Sequence, residues 1–192
     1  MQEKIGILDS GGYNLSSIRF ALERMGHDNV VIVDSKNLFD SCDRIIIPGV
    51  GNAKVAMGKL KENQLIDVIL SCNKPVLGIC LGMQIMCSFS QEFDTKCIGV
   101  FDEKVKKIPD NLVSPQMGWN VIENGEYKGE IVYFCNSFYV PVCKSTKAFV
   151  DYFGTKISAI IQKDNFLGMQ FHPEKSGKVG EKILNNWFKN QF

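Results

Sequence analysis

The sequence predicts an α/β fold, a mixed and mostly parallel sheet flanked by helices. Three observations carry that expectation. Strand-like runs alternate with helical-period segments through the first half of the chain, the pattern that builds parallel sheets covered on both faces. Those runs are apolar throughout rather than alternating, as buried strands are. Three of them end in glycine-containing turns, where open α/β sheets collect their ligands.

Lys4 to Asp9 is the first such run, closed by Ser10-Gly11-Gly12. From Leu15, the apolar residues Ile18, Leu22 and Met25 recur at helical spacing until Gly26, a natural C-terminal stop. Val30 to Val33 reads as a second strand and completes one βαβ unit. The same grammar returns with Arg44 to Ile47 before Pro48-Gly49-Val50-Gly51, a helical stretch through Leu70, and a strand from Val76 to Ile79 running into Cys80. Beyond about Ser90 the pieces shorten, as at Ile131 to Phe134, Ala148 to Asp151, Ser158 to Gln162 and Phe166 to Gln170, which predicts a more antiparallel continuation. Val179, Ile183, Leu184, Trp187 and Phe188 then share one face of a closing helix that begins near Gly177. With no linker and no repeat, residues 1–192 read as one domain.

Composition narrows the function classes. The 192 residues are 45% hydrophobic and 22% charged with a net charge of +1, so neither disorder nor an electrostatic footprint for nucleic acid or a lipid surface is expected. No apolar run spans a bilayer, and the start MQEKIGILDSGG lacks a secretory pattern, which points to the cytoplasm and to no membrane partner. Seven cysteines without a C-x-x-C pair are expected to be free thiols, mostly buried small hydrophobes. With only His27 and His172, no metal or cofactor site is expected.

Chemistry concentrates in three places. Gly78-Ile79-Cys80-Leu81-Gly82 lies between a buried strand and a helix, the arrangement of a nucleophile elbow with sulfur in place of oxygen. Glycines two residues either side leave room for the tight turn, while a helix N-terminus and an imidazolium both favour a thiolate. Cys80 is therefore the candidate nucleophile. Alone, the elbow is only moderately specific, because a core cysteine among packing glycines has the same look. Phe171-His172-Pro173-Glu174 follows another apolar strand, with His172 suited to general acid–base work and Glu174 to orienting it. His27, after a helix end, has the ordinary reading of a structural or exposed histidine. The turn Pro48 to Gly51 is most simply a turn, but at a buried strand end before Cys80 its amides, at Val50 and Gly51, join that of Leu81 as an expected oxyanion hole.

Gly-Ile-Cys-Leu-Gly-Met-Gln at 78–84 together with His-Pro-Glu at 172–174 resembles the class I, triad-type, glutamine amidotransferases. Within them, Pro-Gly-Val-Gly at 48–51, Met-Gly-Trp-Asn at 117–120 and His-Pro-Glu-Lys-Ser-Gly at 172–177 are similar to glutaminase subunits of imidazole glycerol phosphate synthases, over essentially the whole chain. The resemblance implies a flavodoxin-like sheet and a Cys80–His172–Glu174 triad that hydrolyses L-glutamine without a cofactor. It implies that Gly51, Gln84, Ser137 and Phe138 hold the substrate. It implies a heterodimer with a (β/α)₈ barrel cyclase that receives the ammonia, with Asn14, Met117 and Trp119 facing that partner.

The sequence also departs from the subfamily pattern. Tyr13 replaces a usual glycine, Gln116 and Asn136 stand where histidines are expected, and Ala53 replaces a phenylalanine. None of these touches the triad, so they bear on the partner and its coupling. Two other readings follow: a paralogous glutaminase feeding a sugar amidotransferase of surface-polysaccharide synthesis, and a non-catalytic regulatory subunit. A free-standing cysteine hydrolase has no need of the Met-Gly-Trp-Asn segment.

Overall fold

The computed structural model describes residues 3–11 and 15–191. Its N-terminal half alternates as the pattern requires: β1 (Ile5–Leu8), α1 (Leu15–Arg24), β2 (Val30–Val33), α2 (Lys36–Asp40), β3 (Arg44–Ile47), α3 (Ala53–Glu62), α4 (Ile66–Ser71) and β4 (Val76–Ile79). Strands β1, β3 and β4 are buried along their whole length, and β1 pairs in parallel with both β2 and β3. Successive side chains enter opposite cores. Ile45 and Ile47 pack into the cluster that holds Leu60 and Ile69 of the α3–α4 layer, whereas Ile46 packs into the cluster that holds Ile18, Leu22, Ile183 and Trp187.

The helical stretch expected to run through Leu70 is two helices. Gln64 takes a left-handed φ of +55°, and the Leu65 N–H reaches back to the Leu60 carbonyl at 2.9 Å. That six-to-one bond between two fully buried leucines terminates α3 and starts α4 on a new axis. The short α2 was not anticipated, since five residues carry too little periodicity to register.

After β4 come α5 (Leu81–Ile85), β5 (Cys87–Ser90), β6 (Thr95–Lys96), β7 (Phe101–Lys107), β8 (Gln116–Val121), β9 (Ile131–Asn136), β10 (Phe138–Tyr139), β11 (Thr146–Tyr152), β12 (Thr155–Lys163), β13 (Phe166–Met169) and α6 (Gly177–Phe188). The main sheet runs β11-β12-β13-β4-β3-β1-β2, and the smaller sheets are β10-β7-β5-β6 and the hairpin β8-β9. The expected antiparallel continuation holds for β11–β12–β13, β8–β9, β5–β6 and β7–β10. It fails for β13 beside β4 and β5 beside β7, both of which pair in parallel.

The β13–β4 pairing positions everything that follows. Gly168 lies opposite Gly78 and Met169 opposite Ile79, so the chain leaves both strands at the same sheet end, with Cys80 after one and His172 after the other. The Gly168 hydrogen matters here, because a Cβ on Gly168 would stand 2.7 Å from Met83 Cγ and 2.9 Å from Ile161 Cγ1. On the opposite side of the molecule, the buried Arg44 guanidinium binds the Trp187 and Phe188 carbonyls at the end of α6, at 3.2 and 2.8 Å, and ties that helix to the sheet. His27 stacks on Phe188 with ring centroids 3.9 Å apart, a packing role.

Candidate active site

Cys80 stands on a strained turn. Its φ of +52° and ψ of −107° are unusual for a residue with a side chain and cost on the order of 1–3 kcal/mol, which the surrounding structure must hold in place. Its N–H is fastened to the Met169 carbonyl at 2.7 Å. The flanking glycines are sterically required: a Cβ on Gly82 would lie 1.7 Å from the Ile47 carbonyl oxygen, and one on Gly78 would lie 2.4 Å from Met86 Cε. The helix that follows, α5, is only five residues long before the chain returns as β5.

His172 and Glu174 emerge from the neighbouring strand. The imidazole Nδ1 donates to Glu174 Oε1 at 2.8 Å, with side-chain exposures of 1% and 2%, so the carboxylate places the ring proton on Nδ1. Nε2 is then the nitrogen left for chemistry, and it is buried without a hydrogen-bond partner of normal geometry. Burial opposes the charged form of His172, but the adjacent Cys80 sulfur and the Glu174 carboxylate outweigh it and push the group up to about 10. Ser176 secures the segment by donating to the His172 carbonyl at 2.7 Å while accepting from the Tyr133 N–H at 2.9 Å.

Cys80 opens onto a cavity of about 230 Å³, lined also by Gly49, Val50, Gly51, Gln84, Glu92, Pro115 and residues 135–138. Thus Val50, Gly51, Gln84, Ser137 and Phe138 meet at one site. The Pro48–Gly51 turn is held against α5, since a Cβ on Gly49 would touch Leu81 Cβ at 2.6 Å. Leu81 itself is buried and is not among the residues that line the cavity. The turn is anchored at both ends: Ser10 Oγ donates to the Pro48 carbonyl at 3.0 Å, and Asn52 caps α3 by accepting from the Val55 N–H at 2.9 Å.

Gln84 Nε2 donates to the Phe138 carbonyl at 2.8 Å and to Gln170 Oε1 at 3.0 Å, and Gln170 Nε2 points at the Cys80 sulfur at 3.7 Å. Gln170, fully buried, was not singled out in the sequence. Its signal was present, a polar residue closing the apolar run before Phe171-His172. Glu92 was missed as well. Its carboxylate accepts the Ala53 N–H at 2.7 Å and its acidity is weakened by burial, but a single acid in a short turn has no periodic signature.

Met117 and Trp119 lie elsewhere, on the outer face of the β8–β9 hairpin. They are 66% and 59% exposed and line a separate cavity of about 500 Å³. Asn14 falls outside the described residues, as does Tyr13.

Comparison with known proteins adds independent findings. Residues 7–191 match the family described as Glutamine amidotransferase class-I. A relative from Bacteroides thetaiotaomicron, named imidazole glycerol phosphate synthase subunit HisH, is 43% identical across 96% of this chain and 98% of its own. The protein of that name from Haemophilus influenzae is 42% identical across 95% and 96%. Among solved structures, a glutamine amidotransferase superposes with a TM-score of 0.76 at 15% identity, covering 96% of this chain and 97% of its own. PurLQS from Thermotoga maritima superposes with a TM-score of 0.73 at 17% identity, covering all of both chains. At such identities the two structures speak for the fold alone.

Proposed function

The chain belongs to the class I glutamine amidotransferase family, and from that premise we propose that it is the glutaminase subunit of an imidazole glycerol phosphate synthase, supplying ammonia for histidine biosynthesis. The observation that carries this reading is the meeting of a cysteine elbow with a buried His–Glu pair at the ends of adjacent parallel strands. Near-full-length relatives support the pathway.

Glutamine enters the Cys80 cavity. Glu92, the acid on its wall, suits the substrate's α-ammonium, while Gly51, Gln84, Ser137 and Phe138 frame the rest. The Cys80 sulfur attacks the side-chain amide carbon, and the oxygen takes up charge beside the amides of Val50, Gly51 and Leu81. His172 holds the thiol proton and gives it to the leaving nitrogen as the C–N bond breaks, which releases ammonia and leaves a glutamyl thioester. Water then attacks the thioester, with His172 as base; glutamate leaves and the thiol is restored. Glu174 keeps the imidazole in the required tautomer throughout.

The acceptor subunit is a (β/α)₈ barrel cyclase, docked on the face that carries Met117 and Trp119. Shielded transfer keeps ammonia unprotonated and therefore nucleophilic. On this reading residues 1–192 are one glutaminase domain that works in the cytoplasm beside the other enzymes of its pathway. Among the described residues no helix is long and apolar enough to cross a membrane.

The test uses purified chain with its organism's cyclase. Cys80→Ala removes glutamine-dependent synthesis by at least ~10⁴-fold and leaves synthesis from added ammonium intact. Loss of both activities overturns the division of labour. Glutamate release stimulated only by a sugar amidotransferase moves the chain to a different acceptor.

A further inference from the structure

Gln116 and Asn136 face one another across the β8–β9 hairpin. Directly opposed residues project from the same face with Cβ atoms about 5 Å apart. Both are buried, at 3% and 5% exposure, and neither Gln116 Oε1 nor Asn136 Oδ1 has a hydrogen-bond donor. The Asn136 amide is oriented from its other end, where Nδ2 donates to the Phe138 carbonyl at 3.1 Å, so its oxygen is turned away from that acceptor. A native structure seldom leaves a buried carbonyl oxygen without a donor, and here two do so side by side.

Their location names the missing donor. Asn136 lines the cavity that holds Cys80, and Gln116 lines the second cavity, beneath Met117 and Trp119. The pair therefore forms the wall between the site that makes ammonia and the face assigned to the synthase. Ammonia is the product that has to reach the synthase, and it carries three N–H donors. The pair is also chemically suited to it. Carboxamide oxygens accept N–H bonds but cannot protonate the nitrogen, whereas an acidic group would trap it as ammonium and remove the lone pair the synthase needs. Gln84 and Gln170 continue the run of carboxamides as far as the Cys80 sulfur, with Glu92 the one acid on the cavity wall.

We propose that Gln116 and Asn136 are an ammonia relay: their side-chain oxygens receive ammonia leaving Cys80 and pass it, uncharged, into the cavity beneath Met117 and Trp119. This rests on the glutaminase reading above, and both residues act as positioning groups for the product.

The experiment measures glutamate, ammonia free in the buffer, and synthase product together, at fixed pH with the synthase in saturating excess. In Gln116→Met, which keeps side-chain length but removes the acceptor, the ratio of synthase product to glutamate falls about fivefold, the worth of one lost hydrogen bond, and free ammonia rises correspondingly. Asn136→Leu is read by the same ratio, so a variant that fails to fold leaves the other to decide. A simple packing role would lower both products together and leave their ratio unmoved. Wild-type ratios in both variants would overturn the relay and assign the two oxygens to bound water. Wild-type protein that forms no glutamate with any synthase would instead overturn the glutaminase reading, and the relay with it.

Discussion

His172 is caught between burial, which disfavours its charge, and two neighbours that demand it, Cys80 and Glu174. The neighbours win, and the consequence is measurable. A group raised from 6.5 in the unfolded chain to about 10 in the folded one contributes stability in full below pH 6.5 and loses it as pH rises toward 10. The melting temperature of the wild type, compared with that of His172→Gln, should therefore show its largest advantage at or below pH 6.5 and a shrinking one through pH 10. A difference independent of pH over that window would show that the imidazole is not held charged in the fold. Gln170 belongs to the same scale: a fully buried carboxamide whose Nε2 faces the sulfur and whose oxygen accepts from Gln84.

At the scale of elements, the elbow is the decisive object. Strand β4 turns into α5 within one residue, with a positive φ at Cys80 and glycines on either side at positions where a Cβ would meet neighbouring atoms. Gly82 sits against the Ile47 carbonyl of β3, so the elbow is braced by the next strand as well as by its own. Gly82→Ala inserts a methyl group 1.7 Å from that oxygen. Overpacking of this type costs about 1–3 kcal/mol and lowers the melting temperature of a chain of this size by roughly 2–4 °C per kcal/mol. Calorimetry checks the loss, and labelling of Cys80 by a thiol reagent checks whether its sulfur has moved. Unchanged stability and reactivity together would mean that β3 and α5 are less tightly joined than described.

For the whole molecule, the organising fact is where the chain returns. Having built β11 and β12 as an antiparallel extension, it inserts β13 in parallel against β4, at the middle of the main sheet. That single placement brings residues about ninety positions apart to the same sheet end. The β8–β9 hairpin then lies over this region, with Asn136 and Cys135 on the cavity wall and an outer face of Met117, Trp119, Val121, Ile131 and Tyr133. Trp119 packs edge-on to Tyr133 at 5.7 Å, which fixes a large aromatic surface at low entropic cost before any partner arrives. Trp119→Ala is expected to weaken binding of the synthase by about 2 kcal/mol, roughly 30-fold in Kd, without altering the fold. Titration calorimetry on the two subunits decides it, and an unchanged Kd would place the interface on another face.

The local features were legible in the sequence because each depends on neighbours in the chain. Continuous apolar runs marked β1, β3, β4 and β13; Gly26 marked the end of α1; the Gly-x-Cys-x-Gly spacing marked a turn too tight for side chains; and His172 and Glu174, two residues apart, contained their own hydrogen-bond geometry. What sequence could not show depends on contacts between distant segments. Nothing in Phe166 to Met169 says whether it pairs parallel or antiparallel, Glu92 reaches the cavity wall from a distant turn that bonds the Ala53 amide, and Gln116 opposes Asn136 only through the hairpin register. Residue identity and short-range spacing determined the reactive groups of this protein. Only the tertiary structure, by choosing strand order and register, decided which of them meet, because the free energy of those choices is distributed over a buried sheet rather than carried by any one segment.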